Sequence, residues 1–486
     1  MHPVATLTCR LWHVALGAPA LNFLRAAAMG LAGGPHGAKA LFVKDFASAF
    51  QNVKQLTDVR TLVGVPRAHT LAVLDGNVMM NAIPQGIDTF RGYVAILANQ
   101  INEAVQAAAH VVVVFDEPKA MTVAKRDEQR RRDAMRQARV PQCSEDLVAT
   151  IKDDNYHTND LRTDGCNVKL LMEFRQARPR FYDAVCVELL RKFRAEMVGE
   201  GAWSLTFDGV DDRGGDRGIG MPRQAGVLSS HPIFWKPLLS RATPIGEGDL
   251  KLTDVTQRVH NASRQEGTPV HGVLLNLVVT IDTDSLAIEL LQQNRRERRA
   301  DKDDRDELTI LCFKERARKR KGDDFVTDAH HLCCDLQVFH RLVLDYLYGS
   351  RKLNAETLKS QPAALALLAS AIAMCGCDFV EIKGVRLDHA LPVVRDMVRK
   401  DPDALGYMAR LFEKERHGKI QALLAMEDFV FRYVKALENV PRMKKAKDNA
   451  SNYCQAQLYR ALWTCSYWHQ RELKDCSAWG FPSMCG

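Results

Sequence analysis

Five short runs of β-branched and apolar residues stand out along the chain: 69–75 (HTLAVLD), 110–116 (HVVVVFD), 202–208 (AWSLTFD), 274–282 (LLNLVVTID) and 308–313 (LTILCF). Each is too short for a core helix and nearly continuous in apolar character, as strands covered on both faces are. Between them lie stretches with helical spacing, such as 180–197 (RFYDAVCVELLRKFRAEM) and 247–260. This alternation predicts an α/β fold, a parallel sheet flanked by helices. From about residue 330 onward the pattern is almost entirely helical, and His330-His331 with Cys333-Cys334 reads as a partly buried helix. Adjacent ligands of that kind do not close a tetrahedral zinc site.

Two stretches interrupt the pattern. Residues 209–224 (GVDDRGGDRGIGMPRQ) are glycine-rich and charged, and 295–321 carry dense charge of both signs, so both read as surface insertions. The organisation expected is an extension over 1–36, a core over 37–390 and a helical region over 391–486. With 486 residues and 46% apolar content, the chain is long enough for one large α/β domain or two. The balance of 67 basic to 59 acidic residues, a net +8, mildly favours a polyanionic partner. Thirteen scattered cysteines fit reduced thiols in an intracellular protein of nucleus or cytoplasm. The first 44 residues lack Asp and Glu, a composition shared with organelle transit peptides. No apolar run reaches membrane-spanning length, so no membrane partner is expected.

The chemistry lies in the acids that end these runs. Asp75 closes VLDGN, Asp116 closes VVFDEP, and Asp282 with Asp284 close TIDTDSL. Ligands of parallel α/β sheets gather outside the carboxyl ends of the strands. Glu247 and Asp249 in IGEGDLKL sit at a helix start between glycines, and Asp378 in CGCDFVEIKGV follows an apolar helix. One strand-terminal Asp is ordinarily a helix cap. Seven acids meeting at one place would need hard cations, and Mg²⁺ prefers carboxylate, phosphate and water oxygens.

Taken in order, VLDGN, VVFDEP with AKRDEQRRR, GEGDLK, TIDTDSL and CGCDFVEIKGV resemble the 5′-nuclease superfamily of flap endonucleases, XPG-type repair nucleases and XRN-type 5′→3′ exoribonucleases. The resemblance implies a PIN-like parallel-sheet nuclease core holding two Mg²⁺ ions, or Mn²⁺. It implies Asp75, Asp116, Glu247 and Asp249 around the more tightly bound metal, with Asp282, Asp284 and Asp378 completing the second. Lys125 and Arg132 would orient the scissile phosphate or the 5′ end. Gln129, Arg131, Lys251, Lys383 and Gly384 would contact nucleic acid. GEGDLK and the A-K-x-x-x-Q-R pattern lean toward the exoribonucleases, whereas CGCDFVEIKGV is closer to the flap-endonuclease duplex clamp. The chain departs from both patterns. Asn81 stands where the exoribonucleases carry a stacking His, and Arg386 replaces the second glycine of the clamp hairpin.

Residues 119–139 suit a helix, and Lys125, Gln129 and Arg132 fall on one face of it. Such a face beside the acids would attract a phosphate backbone and select 5′ ends. The expected activity is metal-dependent 5′→3′ exonuclease action on single-stranded RNA or DNA. The rival readings are a structure-specific flap endonuclease and a catalytically silent nucleic-acid-binding relative.

Overall fold

A computed structural model describes residues 38–81, 87, 89–117, 129–130, 132–134, 171–172, 177–196, 203–211, 224–241, 245–297, 307–315, 330–349, 355–375, 387–412, 428–437, 461–462 and 465. The chain divides into two compact units. The first comprises Val53–Met121 and Arg126–Thr280; the second comprises Met1–Asn52, Thr122–Lys125 and Ile281–Gly486.

The first unit is built on strands β2 (Thr70–Asp75), β3 (His110–Val114), β4 (Ser204–Val210), β5 (Gly226–Ser229) and β6 (Leu275–Thr280), in the order β6-β2-β3-β4-β5. All residues of β2, β3, β4 and β6 are buried, as their unbroken apolar runs require. β2 runs parallel to β3, with Leu71 opposite His110, and parallel to β6, with Leu74 opposite Val279. β3 and β4 are also parallel, but β5 pairs antiparallel to β4, so the sheet is mixed. Successive strands step from β2 to β3 to β4, and the chain then returns to place β6 on the other side of β2. That reversal makes the carboxyl end of β2 a topological switch point.

Helices α2 (Leu56–Val63), α3 (Gly76–Asn81), α4 (Phe90–Ala107), α5 (Ala177–Glu196), α6 (Pro232–Leu239) and α7 (Gly248–Ser263) complete this unit. α4 buries Phe90, Tyr93, Val94, Leu97, Ala98, Ile101 and Ala104, a stripe at helical spacing. Its start is fixed by Thr89, whose side chain accepts a hydrogen bond from Gly92 N at 3.1 Å. α2 opens with a reciprocal cap between Gln55 and Asp58 and ends at Gly64, whose φ of 71° suits a residue without Cβ.

The second unit contains β1 (Phe50–Val53, all but its last residue), β8 (His330–Asp335) and β7 (Leu308–Glu315), in the order β1-β8-β7. Its helices are α1 (Ala38–Asp45), α8 (Asp284–Glu297), α9 (Leu336–Tyr348), α10 (Ala355–Met374), α11 (Leu387–Lys400) and α12 (Pro402–Phe412). β7 and β8 are antiparallel, with Cys312 opposite Cys333. HHLCCD is therefore a strand and not the helix its composition suggests, because pairing with β7 supplies its backbone partners. Asp335 then caps α9, its Oδ1 accepting from Gln337 N and Val338 N at 3.0 Å each. Phe42, Phe46 and Phe50 pack edge-on around Phe339, with ring centroids 5.3, 5.7 and 5.8 Å away.

Four of the five expected strands fall within a few residues of β2, β4, β6 and β7, and the fifth is β3. β1, β5 and β8 add to them, and two antiparallel pairs replace an all-parallel sheet. The 295–321 stretch is not one surface excursion: it contains β7, where Ile310 to Phe313 are fully buried. Residues 1–37 and the bulk of 209–224, 212–223, lie outside the described residues. Cys186, Cys312 and Cys375 are buried free thiols. No described helix is long and apolar enough to cross a membrane.

Candidate functional site

Three glycines close the backbone around the end of β3. Gly76, directly after Asp75, faces the Phe115 ring so tightly that a Cβ there would lie 2.5 Å from Cε1. Gly209 has φ +90°, and a Cβ on it would be 2.9 Å from the Phe115 carbonyl oxygen. Gly248, the first residue of α7, stands where a Cβ would lie 3.3 Å from Asp116 Oδ1, 3.5 Å from Asn77 Nδ2 and 3.9 Å from Asp75 Oδ1. The two strand-terminal carboxylates therefore converge on one backbone position, flanked in sequence by Glu247 and Asp249.

Each carboxylate is held by backbone N–H groups. Asp75 Oδ1 accepts from Val78 N at 3.1 Å, and Asp116 Oδ1 accepts from Gly248 N at 2.7 Å. The second contact joins the β3 end to the start of α7 across 132 residues of chain. Charged acceptors at a helix N-terminus are favoured by the helix dipole. Glu117 N donates to Gly246 O at 2.8 Å, which locks the same two segments a second time. Asp75 and Glu247 are buried, at 6% and 2% exposure, whereas Asp116 and Asp249 are half-buried.

The basic segment after β3 is described at Gln129, Arg130 and residues 132–134, and all of these are helical. Gln129 Nε2 donates to Asp116 Oδ2 at 3.4 Å, which brings this segment to the acidic crevice. The ion pair of Arg178 Nη2 with Asp133 Oδ1, at 2.7 Å, anchors it to the start of α5. Arg132 is half-buried on the same stretch. Lys251 is 3% exposed, one turn into α7 from Glu247. Asn81 ends α3 with its side-chain amide donating to Asn77 O at 2.6 Å.

In the second unit, Asp282 Oδ1 accepts from Asp284 N at 3.1 Å and so caps the start of α8. Asp284 is buried, at 5% exposure, and Asp282 half-buried. Asp378, Lys125, Arg131, Lys383 and Gly384 lie outside the described residues.

Among the described residues, no three carboxylate, His or Cys side chains form a group that would hold a metal ion. The donor chemistry nonetheless suits hard cations: Asp75 and Asp116 offer only oxygen, each retains acceptor capacity beyond its backbone hydrogen bond, and the glycine between them keeps the space clear. Sequence reading found the acids through their strand-terminal positions. It passed over Asp208, which ends the run AWSLTFD as Asp75 and Asp116 end theirs, and Arg241, which LSRA does not mark; the two form a buried pair at 2.8 Å.

The α/β architecture with a mixed sheet is the class that these observations define. No protein-family model matches the chain, and no characterised protein matches it at a significant level.

Proposed function

We propose that the chain is a divalent-metal-dependent 5′ nuclease, acting most readily as a 5′→3′ exonuclease on single-stranded nucleic acid, with RNA ahead of DNA. The observation that carries this reading is the convergence of Asp75 and Asp116 on Gly248, at the switch point of the sheet. Two helix caps used only for structure would not need to face one another across a bare glycine. The contact from Gln129 to Asp116 adds a nucleic-acid-facing segment to the same crevice.

In this reading Asp75, Asp116, Glu247 and Asp249 would hold one Mg²⁺, their side chains drawing together around it, and Asp282, Asp284 and Asp378 would hold a second. When bound, such ions polarise a phosphodiester and make a water nucleophilic near neutral pH. The chain's own contribution is orientation. Backbone N–H groups fix Asp75 and Asp116, and Gln129 steadies the second oxygen of Asp116, while Lys125 and Arg132 would take the phosphate of the 5′ end. Hydrolysis leaves a 5′ phosphate on the product strand.

The test is cleavage, in Mg²⁺, of 5′-monophosphorylated single-stranded RNA, the matching DNA and a 5′-flap duplex. Mononucleotide release from RNA is the expected result. A single cut near the flap junction with RNA untouched would reassign the activity to a flap endonuclease. No cleavage of any substrate by folded protein would leave a nucleic-acid-binding relative. Asp282→Ala should abolish turnover while substrate binding persists, and retained turnover would sink the metal site.

A further inference from the structure

The first unit holds a cavity of about 380 Å³ bounded by Asp208 and Gly209 of β4, by β5, and by Lys236, Arg241 and Lys251 around α6 and α7. Glu117 also borders it. Its basic groups are unusual in how they are satisfied. The Lys251 side chain is only 4% exposed, and the Asp208 oxygen it faces is 4.0 Å from Nζ, beyond hydrogen-bond reach. The amine reaches this position against Gly209, where a Cβ would stand 3.0 Å from Nζ.

Arg241 is held rigidly beside it. Its Nε donates to Asp254 Oδ2 at 2.7 Å and its Nη1 to Asp208 Oδ2 at 2.8 Å, while Nη2 is buried without a hydrogen-bond partner among the described residues. A buried donor without an acceptor is costly, and this one borders the same cavity as the Lys251 amine. Among the cavity's charged residues, Lys236, Arg241 and Lys251 outnumber Glu117 and Asp208. What the pocket lacks is a compact group rich in acceptor oxygens and carrying negative charge. A phosphate supplies both, and the cavity is large enough for it.

We propose that this cavity is an oxyanion site that takes a phosphate group, with Lys251 and Arg241 as its donors. The proposal does not require the acidic crevice to hold metal, so it is measured in EDTA. Calorimetric titration of the full-length protein with inorganic phosphate, and separately with a single-stranded oligonucleotide lacking terminal phosphate, distinguishes two sources of the group. Saturable binding of inorganic phosphate assigns a free-phosphate site. Saturable binding of the oligonucleotide alone assigns a backbone phosphate of a bound strand. In either case Lys251→Met should weaken binding about tenfold or more, and Asp75→Asn, which disables the acidic crevice, should leave it intact. Should Lys251→Met fail to fold, reductive methylation of the wild-type protein gives the same answer. The bound ligand should slow labelling of Lys251 at matched chloride ionic strength, while the exposed Lys192 labels at an unchanged rate. No saturable binding of either ligand, or binding that survives folded Lys251→Met, overturns the site. Absent nuclease activity with phosphate binding retained would refute the nuclease reading and leave this one standing.

Discussion

Removing the Arg241 guanidinium would leave two buried carboxylates to find other partners, and the structure says how unequally they would manage. Asp254 keeps Arg258, whose Nε donates to Oδ2 at 2.8 Å, whereas Asp208 keeps, among the described residues, only Lys251, 4.0 Å away. Breaking a buried pair by deleting one member costs about 3–5 kcal/mol, because the survivor stays desolvated. With Asp254 still paired, Arg241→Met should sit near the lower end, at about 3 kcal/mol, and the loss should trace to Asp208. The side chain is 8% exposed, so solvent screening should reduce this figure little. Urea unfolding followed through Trp203 and Trp235, both buried in the same unit, reports the change directly. For a unit of this size the midpoint temperature should fall by about 6–12 °C. Adding Asp208→Asn should restore a large part of the loss, and adding Asp254→Asn should restore little. A loss below about 1 kcal/mol, or equal rescue by the two changes, would refute the assignment of Asp208 as the dependent partner.

Three further outcomes follow from other contacts. Gly76→Ala places a methyl 2.5–2.8 Å from three atoms of the Phe115 ring and should cost about 1–3 kcal/mol; Phe115→Leu in the same chain should return part of it, as chemical denaturation would show. Gly248→Ala meets Asp116 Oδ1 at 3.3 Å, a contact that a few tenths of an ångström relieves. Its stability should therefore change by less than about 1 kcal/mol, while cleavage falls up to about a hundredfold; unchanged cleavage would dissociate Gly248 from the site. The His110 imidazole is pushed down to about 4 by burial, from an ordinary 6.5. The unfolded chain then takes up the proton first, so the stability from neutral His110 is complete above about pH 6.5 and is lost as pH falls toward 4. The loss over that window is about 3 kcal/mol. Urea midpoints for the wild type and His110→Gln between pH 7 and 4.5 should show a shallower slope in the variant, and identical slopes would refute this account.

The strands that the sequence revealed are those buried on both faces, where VVVV or TLAVL leaves no ambiguity. β5 (GVLS) and β1 (FQNV) escaped because four residues carry too little periodicity to read. HHLCCD was illegible for another reason: its place between β7 and β1 in the sheet makes its polar ends compatible with a strand. Asp75, Asp116 and Asp282 were legible because each closes an apolar run, and Glu247 and Asp249 because glycines flank them at a helix start. What no run or spacing could show was which oxygen faces which backbone N–H, or that Asp208, Arg241 and Lys251 share a wall. Those contacts join residues more than forty positions apart in the Asp208–Lys251 case, and pairing at that range leaves no periodic trace.

The three glycines around Phe115 also bear on how such a crevice could be built or moved. Carboxylates are easily grafted onto the ends of another parallel sheet, yet grafting Asp75 and Asp116 alone would not reproduce their spacing. The clearance is set by hydrogen atoms at positions 76, 209 and 248, where any side chain would meet an aromatic ring, a carbonyl or a carboxylate. A transplant of this crevice must carry that empty mould along with the acids, and a randomised library should recover glycine at 76 and 209 even where the acids are allowed to vary, and at 248 only where Asp75 and Asp116 are kept.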